Sequence, residues 1–290
     1  MCDEQTIADD ERFLANAPPV SRRAFGALSA AASIAACTTG SEAQGLTEAD
    51  VTITTPDGDC DAFFVHPASG KHPGVIVWPD IMGLRPAFRT MGRRLAAAGY
   101  AVLTVNPFYR VQRSPILAEG ESFSDPPIRQ KLLGLAGALT RETTGGDTLA
   151  FIRFLDNQRA VDASKKIGAT GYCMGGKMVL WTAATAPDRV GAGASFHGGG
   201  LATNTPASPH LLIPEMKASF LIAIAQNDDQ SEPDAKNMLR AAFDAAHLSA
   251  EIEVYPAQHG WCAIDSRVYD EAQAERAWSR LLALFSTALA

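Results

Sequence analysis

The sequence predicts an α/β protein built on a doubly wound, mostly parallel sheet with an antiparallel N-terminal edge. Three observations carry that expectation. From residue 74 onward, short apolar runs alternate with helix-forming segments across short loops, the pattern of repeated strand-helix-strand units. Residues 51–55 and 61–65 alternate in polarity around Pro56-Asp57-Gly58, which reads as a hairpin at the sheet edge. The hexapeptide Gly171-Tyr172-Cys173-Met174-Gly175-Gly176 joins a strand-like run, 166–170, to a helix-like run, 177–184, through a very tight turn.

The remaining elements follow in order. Residues 74–78 (Gly-Val-Ile-Val-Trp) are apolar throughout, as a strand buried on both faces requires. The loop Pro79-Asp80-Ile81-Met82-Gly83-Leu84 then lies at the carboxyl end of a central strand, the edge where open α/β sheets bind ligands. A helix is expected over 87–98 with Gly99 as its cap, then a strand over 101–105. The polar, proline-containing stretch 111–127 reads as a loop over the site, and 128–139 and 147–155 read as helices. Residues 192–196 and 220–225 read as buried strands and 251–255 as the last strand. The closing helix, 272–287, puts Trp278, Leu281, Leu282 and Phe285 on one face.

The hexapeptide is G-x-C-x-G-G where the nucleophile elbow has G-x-S-x-G. In such a turn the helix nearly touches the strand, so Gly171 and Gly175 occupy positions with no room for a β-carbon. The turn lifts the Cys173 sulfur clear of the sheet and points N–H groups of the helix start, among them that of Met174, at a developing oxyanion. The plainer alternative is a tight turn carrying a buried cysteine that acts as a small hydrophobe.

A thiol attacks an acyl carbon as thiolate, so it needs a base, and the base needs an orienting acid. His259 lies in a loop after the last strand and before the closing helix; His197, after the strand 192–196, is the runner-up. Counting from the end of the strand 220–225 favours Asp228 as the acid, and counting back from Pro233 favours Asp229. The order nucleophile, acid, histidine is met by Cys173, Asp228 and His259.

Gly-Tyr-Cys-Met-Gly-Gly with Asp228 and His259 following in that order resembles the dienelactone hydrolase family of α/β-hydrolases, from about Val51 to the C-terminus. The resemblance implies the α/β-hydrolase fold and hydrolysis of a small-molecule carboxylic ester or lactone by a Cys-His-Asp triad. It implies no metal or organic cofactor, and makes Ile81 the second oxyanion N–H. The family places a Glu that holds the resting thiol in the loop where this chain has Asp80, one methylene shorter. It also grips a substrate carboxylate with two arginines and a tyrosine, for which a gap-free count gives Arg129, Ala263 and Leu133 respectively. Arg129 is thus the one expected anion contact, and neutral esters should serve about as well as carboxylate-bearing dienelactones. The alternatives are a general carboxylesterase and a non-catalytic ligand-binding or redox-sensing module on the same fold.

The chain has 290 residues, 47% hydrophobic and 20% charged, with net charge −7, which fits one domain over 46–290 behind a segment 1–45. No basic cluster points to nucleic acid. Ser21-Arg22-Arg23-Ala24-Phe25 opens an apolar run, 25–36, that is within signal-peptide range and too short to span a bilayer. This predicts twin-arginine (Tat) export to the periplasm. Cleavage is expected near Ala43 or, if the stretch ending at Cys37 acts as a lipobox, at a lipidated Cys37 that would attach the protein to a membrane. Without that segment Cys60, Cys173 and Cys262 remain, so at least one thiol stays free.

Overall fold

The strand Gly74–Trp78 lies within the sheet with all five residues buried, and its alternation builds both halves of the core. Val75 and Val77 enter one apolar cluster with Phe88, Leu95, Leu281 and Phe285. Ile76 and Trp78 enter the other with Phe151, Leu155, Met178 and Val179. A strand covered by helices on both faces needs such a run, because no face of it meets water.

The computed structural model describes residues 4–16 and 45–290. Arg22, Arg23 and Cys37, read above as parts of an export signal, lie outside the described residues. A helix α1 (Glu4–Asn16) precedes the strands β1 (Leu46–Thr55), β2 (Gly58–Pro67) and β3 (Gly74–Trp78). Helix α2 (Pro86–Ala97), strand β4 (Ala101–Val105) and helices α3 (Pro126–Gly137) and α4 (Arg141–Asp156) follow. Then come β5 (Ile167–Tyr172), α5 (Gly175–Thr185), β6 (Val190–Phe196), a 3₁₀ turn (Pro209–Glu215) and β7 (Ser219–Ala225). The chain closes with α6 (Gln226–Ser231), α7 (Ala235–Ala245), β8 (Ala250–Tyr255) and α8 (Glu271–Ala288).

All eight strands form one sheet in the order β1-β2-β4-β3-β5-β6-β7-β8. β2 pairs antiparallel with β1 and β4, and the other pairs are parallel. This is the doubly wound, mostly parallel sheet that the sequence predicts. Helices α2 and α8 supply residues to one core cluster; α4, α5 and α7 supply the other.

Several boundaries differ from the sequence reading for local reasons. Thr55 pairs with Gly58, so Pro56 and Asp57 alone make the hairpin turn, and Gly58 takes a φ of +130° that favours glycine. Helix α4 begins at Arg141, earlier than expected, because Thr140 caps it: the Thr143 N–H donates to Thr140 Oγ1 (3.2 Å) and the Thr140 N–H to Thr143 Oγ1 (3.0 Å). The adjacent Gly145-Gly146 weakens the helical signal there. Residues after β7, expected as loop, wind into α6, and helices α1 and α7 lack a counterpart in the sequence reading.

Candidate active site

Five strand ends deliver the candidate residues to one edge of the sheet: β3 for Asp80 and Ile81, β5 for Cys173, β6 for His197, β7 for Asp228 and β8 for His259. In a parallel sheet those carboxyl ends open toward the same side, so residues far apart in sequence converge there.

The turn at Cys173 follows from close approach. A β-carbon at Gly171 would lie 2.1 Å from the Gly175 carbonyl oxygen, and one at Gly175 would lie 2.4 Å from that of Trp78. A third glycine, which the sequence reading did not use, is equally constrained: a β-carbon at Gly176 would stand 2.3 Å from Ser195 Oγ and 2.8 Å from Gly198 Cα. Helix α5 therefore presses its first turn against the ends of three neighbouring strands. The chain reaches it only by bending sharply at Cys173, whose φ is +54°.

His259 Nδ1 is hydrogen-bonded to both carboxylate oxygens of Asp228, at 2.9 and 2.8 Å, and His259 also hydrogen-bonds the Cys173 side chain. Its own N–H donates to Asn227 Oδ1 (2.8 Å), which fixes the loop. Asp229, the other acid considered, pairs instead with Lys236 at 2.6 Å. Burial pulls the His259 pKa down, but Asp228 and Cys173 outweigh it and raise it. Burial pushes Asp228 up, and His259 brings it below its ordinary value.

His197 does other work. Its Nδ1 accepts from the Cys173 backbone N–H at 3.1 Å, so its proton belongs on Nε2, which is buried without a hydrogen-bond partner among the described residues. Burial first, then His259, hold its pKa well below the ordinary value, so it is neutral. The ring lies edge-on to His259, with centroids 4.9 Å apart. It therefore positions the Cys173 backbone, while His259 faces the thiol.

Among the described residues no acceptor takes the N–H of Ile81 or of Met174. Asp80 lies in the cavity wall but its carboxylate is held elsewhere. Arg85 donates to it through Nη1 (2.6 Å) and Nη2 (2.9 Å), and the Met82 N–H donates to Oδ1 (2.9 Å). Arg85 also donates to Asp265 through Nε (2.7 Å) and Nη2 (2.8 Å). Asp80 thus lines the cavity, where a substrate-binding residue was expected, while its charge is matched by Arg85, which the sequence reading did not consider.

The cavity beside Cys173 holds about 220 Å³, lined by His197, His259, Ile81, Phe123, Ala263 and Arg267 among others. The loop expected over the site contributes residues 121–124 to its wall. Arg129 is not among the lining residues. Ile128 and Leu132 turn toward the core on α3, and Arg129 is rotated about 100° from Ile128. The cavity's arginine is Arg267, the only arginine or lysine between residues 256 and 270, which a gap-free count from His259 passes over. Among the described residues no group of three or more His, Cys, Asp or Glu could hold a metal ion.

The sequence profile of the dienelactone hydrolase family matches residues 60–289. A protein of Methylorubrum extorquens named "Putative carboxymethylenebutenolidase" is 28% identical over 286 residues, covering 94% of each chain. One of the same name from Salmonella typhi is 28% identical over 249 residues, covering 83% of this chain and 88% of its own. Dienelactone hydrolase from Anabaena variabilis superposes with a TM-score of 0.59 at 18% identity, over 84% of this chain and 99% of that one. Pyrococcus horikoshii acylaminoacyl peptidase gives 0.60 at 18% identity, over 84% of this chain and 42% of that one, which shows the shared α/β-hydrolase fold.

The coupled pair sets a pH window. Asp228, with its pKa lowered from 3.8, contributes stability above 3.8 that is lost as pH falls through its folded value. His259, raised from 6.5 to about 10, contributes fully below 6.5 and loses it as pH rises through about 10. Removing Asp228's charge should also expose the thiol's dependence on His259. Asp228→Asn is expected to slow iodoacetamide alkylation of Cys173 at pH 7 by about tenfold and move its rate profile to higher pH. An unchanged profile would show that Asp228 does not govern the pair.

Proposed function

This chain belongs to the dienelactone hydrolase family and hydrolyses ester or lactone bonds, and we propose that it does so through Cys173, His259 and Asp228 acting as nucleophile, base and orienting acid. The observation that carries the proposal is the double bonding of His259, to Asp228 on one side and to the Cys173 side chain on the other, at the wall of the cavity. In the reaction the Cys173 proton resides on His259, whose imidazolium Asp228 stabilises, and the thiolate attacks the acyl carbon. The Ile81 and Met174 N–H groups receive the oxyanion. His259 returns its proton to the leaving alkoxide, then draws one from water as that water resolves the thioester. Cys173→Ala should lower kcat for p-nitrophenyl acetate by at least about 10³ with the fold intact. Turnover like that of the unmodified chain would refute the triad.

The substrate reading is a neutral ester or lactone. Arg267 is the arginine in the cavity wall, whereas Asp80, Glu121 and Asp265 also line it; Arg85 neutralises part of that charge from behind. A bidentate arginine contact is worth roughly 1.5–3 kcal/mol to a carboxylate, and among the described residues no second arginine lines this cavity to add to one. The ratio of kcat/KM for a carboxylate-bearing dienelactone to that for its methyl ester should lie within about tenfold of unity. A preference of roughly a hundredfold for the free acid, about 2.7 kcal/mol, would overturn this reading.

We also propose Tat export, supported by Arg22-Arg23 and the apolar run behind them. Replacing both arginines with lysine should leave the protein in the cytoplasm. An undiminished periplasmic fraction would end that proposal, and the mass of the mature form would show whether Cys37 carries lipid.

A further inference from the structure

The cavity beside Cys173 has a wall that hydrolysis does not need. Thr6, Ile7 and Asp10 of α1 line it together with Cys173 and His259. Thr6 and Asp10 stand one helical turn apart with Ile7 beside them, so one face of α1 looks into the site. Thr6 is buried to 8% exposure. Elsewhere on α1, Gln5 and Arg12 both donate to Asp9 Oδ1, at 3.0 and 2.8 Å.

Two features mark this as a seated contact. Among the described residues Asp10 Oδ1 is buried with no hydrogen-bond partner. Burial pushes the Asp10 carboxyl up to about 6, against the pull of His259 and Arg267, with Asp9 and Asp228 adding to the rise. Asp10 thus senses both His259 and Asp228, two of the groups assigned to the reaction. No residue of α1 belongs to either core cluster, so the body of the protein does not depend on it.

We propose that α1 is an inhibitory latch: seated beside Cys173 it walls off one side of the substrate cavity, and the uncleaved chain becomes fully active only when α1 is withdrawn or removed. The proposal rests on the hydrolase reading of Cys173. A short helix of this length is marginal on its own, so α1 is ordered by docking. Tethering keeps its local concentration high, and a weak contact therefore suffices to hold the site shut. Substrate has to compete with it, which lowers apparent affinity by the fraction of chains that are open. On the export reading, α1 precedes the twin arginines, so the cut that yields the mature protein discards the latch. An enzyme folded before export would then be silent until processed.

Asp10 gives the latch a pH dependence of known sign. Its seated pKa, about 6, lies above the free value of 3.8, so docking is strongest in acid and weakens as pH rises through about 6. The charged groups facing it are His259, Asp228, Arg267 and Asp9, with Glu121, Asp80 and Asp265 on the same cavity wall. Asp10→Asn should remove that weakening.

The test compares three full-length chains, unmodified, Ile7→Glu and Asp10→Asn, with a chain beginning at residue 17, by iodoacetamide alkylation of Cys173 and by kcat/KM for p-nitrophenyl acetate. Truncation and Ile7→Glu should each raise both rates about tenfold or more at pH 6, while Asp10→Asn should lower both at pH 8 by up to about tenfold. Equal alkylation rates, within twofold, for the full-length and truncated chains would overturn the latch, whatever the esterase result. Faster alkylation without ester hydrolysis in any chain would keep the latch and sink the hydrolase reading.

Discussion

The site depends on how closely α5 approaches the strand ends. Three glycines allow it: Gly171 under the Gly175 carbonyl, Gly175 against the Trp78 carbonyl, and Gly176 against Ser195 and Gly198. Any β-carbon there would push the helix off the sheet, and with it the bend that holds Cys173 at a φ of +54°. The strain at one residue is thus sustained by packing at three others. Because those contacts reach β3, β5 and β6, the same constraint sets where the Ile81 loop and His197 stand relative to the sulfur.

Two buried histidines, 4.9 Å apart between ring centroids, acquire opposite character from that frame. His259 has Asp228 behind it and the thiol before it, so the charged imidazolium is stabilised despite burial. His197 has no carboxylate bonded to it and faces a potential cation, so it stays neutral and accepts the Cys173 N–H. Burial acts on both in the same direction; the partner decides which way the proton goes.

Much of this was legible in the sequence because it is written locally. The apolar run 74–78, the hairpin alternation and the glycine-bounded Cys173 each report the structure within a few residues. Asp228 and Asp229 were not told apart this way, because counts from the two ends of their segment disagree; the fold bonds Asp228 to His259 and pairs Asp229 with Lys236. What could not be read depends on pairing across the chain. Arg85 meets Asp80 five residues back but also Asp265, 180 residues away, and only the fold shows that it draws the Asp80 carboxylate toward itself. Likewise Arg267 enters the cavity through a loop whose path a gap-free count cannot follow. Helix α1 has a weak intrinsic signal, and the face it shows to Cys173 becomes meaningful only when the cavity is known.

The Asp80 loop then takes on a different role from the one its position suggests. A carboxylate held by two guanidinium N–H bonds and one backbone N–H has little reason to turn toward a thiol. The arrangement instead anchors the turn from Asp80 to Gly83, closed by the Gly83 N–H to the Asp80 carbonyl at 2.9 Å, and so fixes the peptide of Ile81. A donor aimed in advance stabilises charge that appears only in the transition state without reorganising during the reaction. Restraint of the resting thiol is left to His259, and covering of it to Asp10 and its neighbours on α1. Anchoring and covering thus fall to different carboxylates, and the covering one lies on a helix whose described residues add nothing to either core cluster.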